Sequence, residues 1–347
     1  MSNPGAPAPA PPTAPQGPAI GAVKLSNPFA LAPMAGLTTP AYRLLAAEAG
    51  AALTESEMVS AIALAHRGQA TARFLTRFRD DATVPFAVQL FGKDPATMAA
   101  AARIAQDERG ADLIDLNMGC PARQVVRSGH GAALLKTPDL LLRIVEKVAA
   151  SVSVPVIVKT RPGFNPPPPG QDPPILALAP RLSEAGAAAL TLHGRYASQG
   201  FTGQADWEIV RAVAETGAIP TIGSGDIASA PEALRRLAES KALAVMLGRA
   251  TRGRPWLFSE CRDLWEGRVP APPEPLRALR CARRHALLLW EEMGPRSVFP
   301  LRGILAWYIR ELPGAAAFRA RINREENFPA LLEILDQAFN AACPEEP

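Results

Sequence analysis

The chain has 347 residues and a net charge of +4, with 48% apolar and 20% charged residues. This length can bury a large core, in two domains or in one large α/β barrel with an appendage. No stretch approaches the roughly 18 consecutive apolar residues of a membrane span, which excludes a membrane-spanning protein. The four cysteines form no C-x-x-C pair and no zinc-type spacing, so we expect a reducing cytoplasm and no structural metal.

Charge is distributed unevenly along the chain. Residues 249–324 contain 15 Arg and 7 Asp or Glu, a surplus of +8 that leaves −4 for the remainder. A basic segment on an acidic body indicates a polyanionic partner such as a nucleic acid. Arg outnumbers Lys 31 to 6 throughout the chain, which is equally typical of a compositional bias, so charge alone leaves both interpretations open.

The predicted elements begin after an N-terminal tail. Residues 1–20 are rich in Pro and Ala and lack the basic and apolar regions of a secretory signal, so we expect them to be disordered. Eight strands are predicted further on, at Phe29–Pro33, Ala52–Thr54, Phe86–Phe91, Leu113–Asn117, Val156–Lys159, Ala189–His193, Thr221–Gly223 and Ala244–Leu247. Six helices are predicted between them, at Pro40–Ala49, Pro95–Arg109, Pro138–Ala150, Ile175–Ala185, Asp206–Thr216 and Pro231–Glu239.

This alternation predicts an α/β fold. Strands that are apolar on both faces favour a (β/α)8 TIM barrel over an open doubly wound sheet, and we place it at residues 21–268. Beyond a Pro-rich break at 270–275, helices follow one another without strands, which predicts a small all-helical C-terminal domain at 269–347. Its predicted helices are Arg277–Glu292, Val298–Glu311 and Ala330–Ala342.

Two glycine turns follow the last two predicted strands, at Gly223–Asp226 and Gly248–Arg249. These are positions where a TIM barrel commonly binds a phosphate. Glycine lets the backbone approach the phosphate oxygens, and Arg249 can add a bidentate contact. Ordinary turns of a barrel use glycine as well, so the pattern alone leaves that interpretation open.

Other reactive side chains also come at carboxyl ends of strands, which form the catalytic face of a TIM barrel. The thiol of Cys120 could be a nucleophile, a proton donor or a small buried hydrophobe. Lys159 ends an apolar strand, where its charge could stabilise an anionic ligand. His193 ends another strand, and Gln89 offers a neutral donor and acceptor for the edge of a heterocycle. The other cysteines are expected to be inert.

Several segments along residues 29–310 together carry a family resemblance. They are Ala32–Gly36, Ser56–Met58, Gln89, Asp115–Pro121, Gly129–Leu135, Val158–Arg161, Thr191–Arg195, Gly225–Asp226, Met246–Arg249, Gly253–Trp256 and Trp307–Tyr308. The most specific of them is the run Asn-Met-Gly-Cys-Pro at 117–121. The chain resembles the tRNA-dihydrouridine synthases, and among them the bacterial DusB-like branch.

The resemblance implies an FMN-dependent barrel joined to a helical tRNA-binding domain. NADPH would reduce the flavin, which would pass hydride to C6 of a uridine while Cys120 protonates C5. The residues implied to bind FMN are Pro33, Met34, Ala35, Gln89, Lys159, His193, Ser224, Gly225, Asp226, Gly248 and Arg249. Those implied to contact tRNA are Asn117, Arg161, Arg195, Arg302 and Arg310. The implied enzyme is a cytoplasmic monomer whose partners are tRNA and NADPH, without a membrane or a metal.

Three positions depart from the family pattern. Ser224 stands where the family usually has Asn, Gly303-Ile304 replace a Lys-His pair, and the insertion Pro166–Pro169 is atypical. Two rival functions stay open. One is another flavin-dependent barrel reductase that acts on a free pyrimidine or an enone, and it has no need for the basic C-terminal helices. The other is a tRNA-binding or regulatory protein in which catalysis is incidental, and it has no need to retain Cys120, Lys159 and His193 together.

Overall fold

A computed structural model of the chain describes residues 15–68, 75, 84–272 and 274–342. The first element is an antiparallel hairpin of β1 (Ala19–Ile20) and β2 (Val23–Lys24). Ile20 is fully buried, and a Cβ on Gly21 would lie 2.9 Å from Pro155 Cγ, so the hairpin packs against the amino-terminal end of the barrel. Residues 1–14 of the predicted tail lie outside the described residues. Its last two residues form β1, with Ala19 exposed and Ile20 buried, so the predicted disorder does not extend to residue 20.

Eight parallel strands form a near-closed barrel, which confirms the predicted TIM-barrel fold. They are β3 (Phe29–Leu31), β4 (Thr54–Glu55), β6 (Phe86–Phe91), β7 (Leu113–Asn117), β8 (Val156–Thr160), β9 (Ala189–His193), β10 (Thr221–Ser224) and β11 (Ala244–Leu247). Their order is β3-β11-β10-β9-β8-β7-β6-β4, and a short strand β5 (Val59–Ser60) also pairs with β6. Hydrogen bonds from Leu31 N to Leu53 O and from Ala52 N to Phe29 O, both 2.9 Å, join the ends of the sheet. The regular strand β4 itself begins at Thr54, two residues later than predicted.

Helices surround this barrel and follow its strands. They are α1 (Pro40–Glu48), α2 (Ala61–Ala65), α3 (Pro95–Arg109), α4 (Arg123–Arg127), α5 (Pro138–Ala149), α6 (Pro174–Glu184), α7 (Trp207–Glu215), α8 (Ala230–Ser240) and α9 (Leu257–Trp265). Six of them match the predicted helices to within one residue at either end. Three were missed: α2 and α4 have only five residues, and α9 follows the last strand. Local capping explains typical boundaries, since the Asp94 side chain accepts from Thr97 N and Gly110 ends α3 in the left-handed region.

Four helices follow the barrel in the described residues up to 342, which corrects the prediction of three. They are α10 (Pro275–Met293), α11 (Val298–Tyr308), α12 (Ala315–Arg324) and α13 (Phe328–Ala342). Helix α11 ends before the predicted Glu311, and Gly314, with φ of +71°, separates it from the unpredicted α12. Within the part of the chain that the structure describes, no helix is both long and apolar enough to cross a membrane.

The C-terminal helices share one continuous hydrophobic cluster with the barrel. The ring of His285 lies 5.4 Å from that of Tyr42 on α1, and its Nδ1 lies 3.1 Å from the hydroxyl of Tyr308. A Cβ on Gly253, just beyond β11, would lie 2.6 Å from the backbone of Trp307. The helices thus pack on the barrel side next to the last strand, and the two regions are joined by a common core.

Candidate active site

Strand alternation determines which side chains enter the barrel. Successive residues of a strand point to opposite faces, and Ile157 belongs to the cluster that fills the barrel interior, whereas Val156 and Val158 pack outward against the helices. Lys159 therefore faces inward, two residues above Ile157. The same spacing directs polar residues of neighbouring strands into the layers above the apolar floor: Glu55, Gln89, Asp115, Asn117, Thr191, His193 and Ser224.

A chain of hydrogen bonds connects three of these inward residues to the cysteine turn. Gln89 Nε2 donates to Asp115 Oδ2 at 2.5 Å, and Gln89 Oε1 accepts from Asn117 Nδ2 at 2.8 Å. Asn117 Oδ1 in turn accepts from the main-chain N–H of Cys120 at 3.0 Å. Because a carboxylate only accepts, Asp115 orients the amide of Gln89, and each amide then orients the next one. The turn that carries Cys120 is therefore held in place by the side chain of Asn117, which lies in the barrel interior.

The cysteine turn is also tightly packed. A Cβ on Gly119 would lie 2.9 Å from Thr160 Cα, and one on Gly131 would lie 2.8 Å from Cys120 O. Gly131 has φ of +58°, and the next residue, Ala132, donates its N–H to Cys120 O at 3.0 Å. Cys120 keeps partial exposure at the barrel mouth, as the sequence predicts, whereas Cys261 is buried and α10 holds Cys281.

Two buried carboxyl groups and one half-buried amine lie below the mouth. Burial raises the pKa of Asp115 to about 6, against the hydrogen bond from Gln89 and the charge of Lys159. Burial, together with the neighbouring charge of Asp115, raises the pKa of Glu55 well above its usual range. Burial lowers the pKa of Lys159, although both carboxyl groups oppose that shift. The three groups therefore form one electrostatically linked cluster, in which Glu55 favours its neutral form.

His193 lies at the end of β9 as an uncharged side chain. Burial, reinforced by the positive charges of Lys159, Arg161 and Arg195, lowers its pKa to about 2. Its Nε2 lies 3.4 Å from Arg195 Nη1. Because a guanidinium only donates, we infer that Nε2 accepts and that Nδ1 carries the proton. His193 can therefore donate or accept a hydrogen bond at the mouth without carrying charge.

The two glycine turns meet at one corner of the mouth. Among the residues that the structure describes, the main-chain N–H groups of Gly225, Asp226, Gly248 and Arg249 donate no hydrogen bond to the protein. Gly225 has φ of +124°, and a Cβ there would lie 2.9 Å from His193 Cδ2. Four free amide donors next to the exposed guanidinium of Arg249 make an arrangement suited to a phosphate. Ser224 ends β10 directly before this corner.

Asp226 holds the arginines of the corner rather than facing a ligand with its carboxylate. It accepts from Arg195 Nη1 at 2.9 Å, from Arg195 Nη2 at 2.7 Å and from Arg249 Nη2 at 3.2 Å. Burial favours a raised pKa, but the hydrogen bonds from Arg195 and Ala205 N outweigh it and hold the pKa of Asp226 below its usual value. Only its main-chain N–H is available for the predicted phosphate contact.

The turn after β3 lies beside the same corner. A Cβ on Gly248 would lie 3.7 Å from Met34 Sδ. Met34 is held by a hydrogen bond from its N–H to Thr38 Oγ1 at 3.1 Å, and its carbonyl accepts from Thr38 N at 3.0 Å. Pro33 is half-buried and Ala35 is exposed. The structure therefore brings the predicted Pro33–Ala35 segment together with the phosphate corner.

Two arginines that the sequence assigns to tRNA are buried and engaged within the protein. Arg161 is 3% exposed and Arg195 is 2% exposed. Arg161 Nη1 donates to Tyr196 O at 3.0 Å and to Gly200 O at 2.8 Å. Arg195 donates to the carbonyl groups of residues 202 and 203 as well as to Asp226. Both side chains hold the loop that follows β9, so their predicted contact with tRNA stays a prediction.

The two predicted tRNA contacts in the C-terminal helices differ from each other. Arg302 Nε donates to Glu325 O at 2.7 Å, which ties α11 to the end of α12. Arg310 is exposed and pairs with the adjacent Glu311 at 3.1 Å. Neither residue is brought near the barrel mouth by any contact of the described structure. Other exposed cations of this region lie on α12. Among them, Arg324 lies beside a groove that α13 also borders.

Comparison with known proteins agrees with this geometry. The family model described as dihydrouridine synthase (Dus) matches residues 30–343. The chain belongs to the dihydrouridine synthase family. The family is one of flavin-dependent oxidoreductases, and the chain is accordingly an enzyme.

Curated relatives of the dihydrouridine synthase family match nearly end to end. The chain is 37% identical over 327 residues to a probable tRNA-dihydrouridine synthase 1 of Synechocystis, covering 93% of this chain and 89% of the relative. It is 37% identical over 324 residues to tRNA-dihydrouridine synthase B of Escherichia coli K12, covering 92% and 98%. These relatives confirm the DusB-like branch.

A solved structure outside the dihydrouridine synthases shares the fold. It is 2-naphthoyl-CoA reductase in complex with 2-naphthoyl-CoA, with a TM-score of 0.58 and 10% identity. The match covers 72% of this chain and 51% of that chain. At this identity the likeness concerns the fold alone.

Sequence reasoning missed two features of the mouth. Glu55 was not singled out, although an acidic residue two positions after the apolar residues 51–53, on the inward side of the strand, is a signal of a buried carboxyl group. Phe201 was also missed; its signal is an aromatic residue between Gly200 and Gly203 just beyond a barrel strand. Its large exposed ring appears only in the folded structure.

Proposed function

We propose that this enzyme reduces the C5=C6 bond of specific uridines in tRNA to 5,6-dihydrouridine, with FMN as bound cofactor and NADPH as reductant. The observation that carries the proposal is the cysteine turn. Cys120 keeps partial exposure at the barrel mouth, on a turn fixed by Asn117, while Lys159 and the phosphate corner belong to the same mouth. Relatives that cover nine-tenths of the chain carry the name tRNA-dihydrouridine synthase.

The residues of the mouth suit FMN. The free N–H groups of Gly225, Asp226, Gly248 and Arg249, with the Arg249 guanidinium, would hold its single phosphate. Gln89 and Lys159 would hold the pyrimidine side of the ring, and Pro33–Ala35 would pack along it. Bound in this way, reduced FMN would supply the hydride that C6 of uracil accepts.

The chain's own residues supply the proton and the charge. The thiol of Cys120 would donate a proton to C5, because addition of hydride at C6 leaves negative charge that must be quenched on carbon. Asn117 holds the Cys120 N–H and so fixes the position from which the thiol acts. Lys159 would place a cation where negative charge develops. His193, held neutral by its surroundings, adds a hydrogen-bonding group without a second charge.

The substrate class rests on the C-terminal helices as well as on the relatives. Residues 249–324 carry the surplus of +8, and exposed arginines on α12 present part of it at the surface. A folded RNA supplies the matching negative charge. The target uridine must also leave its stack to enter the barrel mouth, at a free-energy cost of roughly a few kcal/mol, which contacts elsewhere on the tRNA would offset.

A direct assay tests the function. Purified protein, FMN and NADPH are incubated with unmodified tRNA transcripts, and dihydrouridine is detected by mass spectrometry as a gain of two hydrogens in a uridine-containing fragment. We expect a yellow protein that contains FMN and forms dihydrouridine. Reduction of free uracil or an enone without reduction of tRNA would contradict the proposed substrate, and tightly bound FAD would contradict the monophosphate corner.

A further inference from the structure

An exposed phenyl ring stands at the barrel mouth on the loop that follows β9. Phe201 is 61% exposed, although it lies only eight residues beyond His193, at the catalytic face. Single exposed apolar residues are common on protein surfaces and need no explanation in themselves. Phe201 differs from an ordinary exposed apolar residue in the way its loop is held by hydrogen bonds.

Two buried arginines fix the loop on both sides of the ring. Arg161 donates to Gly200 O at 2.8 Å, on the residue before Phe201. Arg195 donates to Thr202 O at 3.2 Å and to Gly203 O at 2.7 Å, on the two residues after it. Hydrogen bonds of buried charged groups are strong, and both side chains are almost fully buried. The backbone that carries the ring is thus set before any ligand arrives.

The turn itself brings the ring outward. Gly200 and Gly203 have φ of +58° and +65°, a region that favours glycine. Thr202 N also donates to Gln199 O at 2.9 Å, which closes the turn around Phe201. A rigid loop that presents an apolar ring to solvent loses little conformational entropy when that ring binds a partner.

The surroundings of the ring are cationic. The centroid of the Phe201 ring lies 5.1 Å from Arg249 Cζ and 5.6 Å from Arg161 Cζ. The ring of His193 lies 6.3 Å away. An aromatic face beside fixed positive charge is the combination with which proteins bind single-stranded nucleic acid, where bases stack on the ring and the charge attracts the backbone.

We propose that Phe201 is a stacking platform for a nucleobase of the tRNA that neighbours the target uridine. The inference rests on the proposed function. When the uridine leaves its stack, the adjacent base loses a stacking partner, and a preformed aromatic ring at the rim of the barrel replaces that partner. Arg161 and Arg195 then act as positioning residues that hold the platform, which accounts for their engagement with the loop.

Substitutions that separate stacking from packing test the proposal. The probe is a transcript of a tRNA that the wild-type enzyme reduces, and its Kd is measured with Phe201→Ala, Phe201→Leu and Phe201→Tyr. A base–aromatic stack contributes roughly 1–3 kcal/mol, so Phe201→Ala should weaken binding about 5- to 150-fold. Phe201→Leu, which keeps apolar bulk without a π face, should resemble Ala, and Phe201→Tyr should resemble wild type.

Two further readouts separate this role from others. FMN content and the rate at which NADPH reduces the flavin are measured for the same variants, and stacking on tRNA predicts that neither changes. Slower flavin reduction in Phe201→Ala would assign the ring to the reductant, and Phe201→Leu with wild-type tRNA affinity would assign it to packing; either result overturns the proposal. If the wild-type enzyme forms no dihydrouridine, the proposed function fails instead, so the two failures are distinguishable.

Discussion

Arginine has different surroundings at the barrel mouth and in the C-terminal helices. At the mouth, Arg161 and Arg195 are buried, and their donors are directed at carbonyl groups and at Asp226. On α12, Arg321 and Arg324 are exposed, and the side chain of Arg324 makes no ion pair or hydrogen bond within the part of the chain that the structure describes. The same type of side chain therefore fixes backbone geometry in the first region and leaves positive charge free at the surface in the second.

The largest expected effect is on stability at the mouth. Arg195→Met leaves Asp226 without its bidentate partner, which now lies at 2.7 and 2.9 Å. Removing one member of a buried ion pair typically lowers stability by about 3–5 kcal/mol, and we expect the lower end because Asp226 keeps some exposure. Urea unfolding measures the change. Arg324→Met is the matched control and should stay within about 0.5 kcal/mol of wild type; equal losses in both variants would remove the contrast between the regions.

The next effect concerns chemistry at the mouth. Cys120→Ala should lower the rate of tRNA reduction by roughly 100-fold or more, the usual range for a lost general acid. Oxidation of NADPH by the bound flavin should stay near wild type, because that half-reaction needs no proton on C5. Stopped-flow flavin absorbance and a dihydrouridine assay measure the two halves separately. Normal tRNA reduction by the variant would return Cys120 to the interpretation of an inert thiol.

Retention of the cofactor should respond to the one exposed cation of the phosphate corner. Hydrogen bonds to charged groups contribute about 1.5–3 kcal/mol, so Arg249→Ala should weaken FMN binding roughly 10- to 100-fold. Equilibrium dialysis or flavin fluorescence measures the Kd. Arg235→Ala on α8, an exposed arginine paired with Glu232 and Glu239, provides the control and should leave the Kd unchanged. A loss of the same size in both variants would refute a specific role for Arg249.

Much of the barrel could be predicted because its signal is local. Apolar strands such as Val156–Thr160 can be predicted from a few adjacent residues. The carboxyl ends of these strands then identify the face of the barrel where Lys159 and Cys120 lie. The direction of Arg161 could not be predicted, because its hydrogen-bond acceptor at Gly200 is 39 residues away in sequence. The local sequence around a charged residue that follows a strand is the same whether its side chain contacts a ligand or a carbonyl group of the protein.

The helical region was harder to predict for a different reason. Tyr308, part of the segment Trp307–Tyr308 that carries the family resemblance, is buried beside His285. Aromatic residues at helical spacing pack into a core as readily as they bind a base, and only the docking against Tyr42 of the barrel decides between the two. Ala315–Arg324 was missed because only Ala315 and Ile322 of its ten residues are buried, which leaves little apolar periodicity in its sequence.

A smaller effect should appear in the pH dependence of stability where the two regions meet. Burial lowers the pKa of His285 to about 3, so the folded protein keeps it neutral while the unfolded chain gains a proton below about pH 6.5. Its contribution is complete above that value and is lost as pH falls toward 3. Between pH 7.5 and 5.5, His285→Gln should lose about 1.4 kcal/mol less of its unfolding free energy than wild type. Equal losses would contradict a neutral buried His285.

The smallest effect should distinguish the surface arginines from one another. If Arg324 meets a tRNA phosphate, Arg324→Ala should reduce the slope of log Kd against log salt by about 0.7–0.9 while leaving stability and FMN content unchanged. Arg302→Ala is the informative comparison, because Arg302 already donates to Glu325 O at 2.7 Å. Compared with Arg324→Ala, Arg302→Ala should change the salt slope less and lower the free energy of unfolding more. Filter binding across a salt series measures the slopes. A larger slope change for Arg302 than for Arg324 would show that contacts within the protein do not decide which arginines of the helical region remain free for RNA.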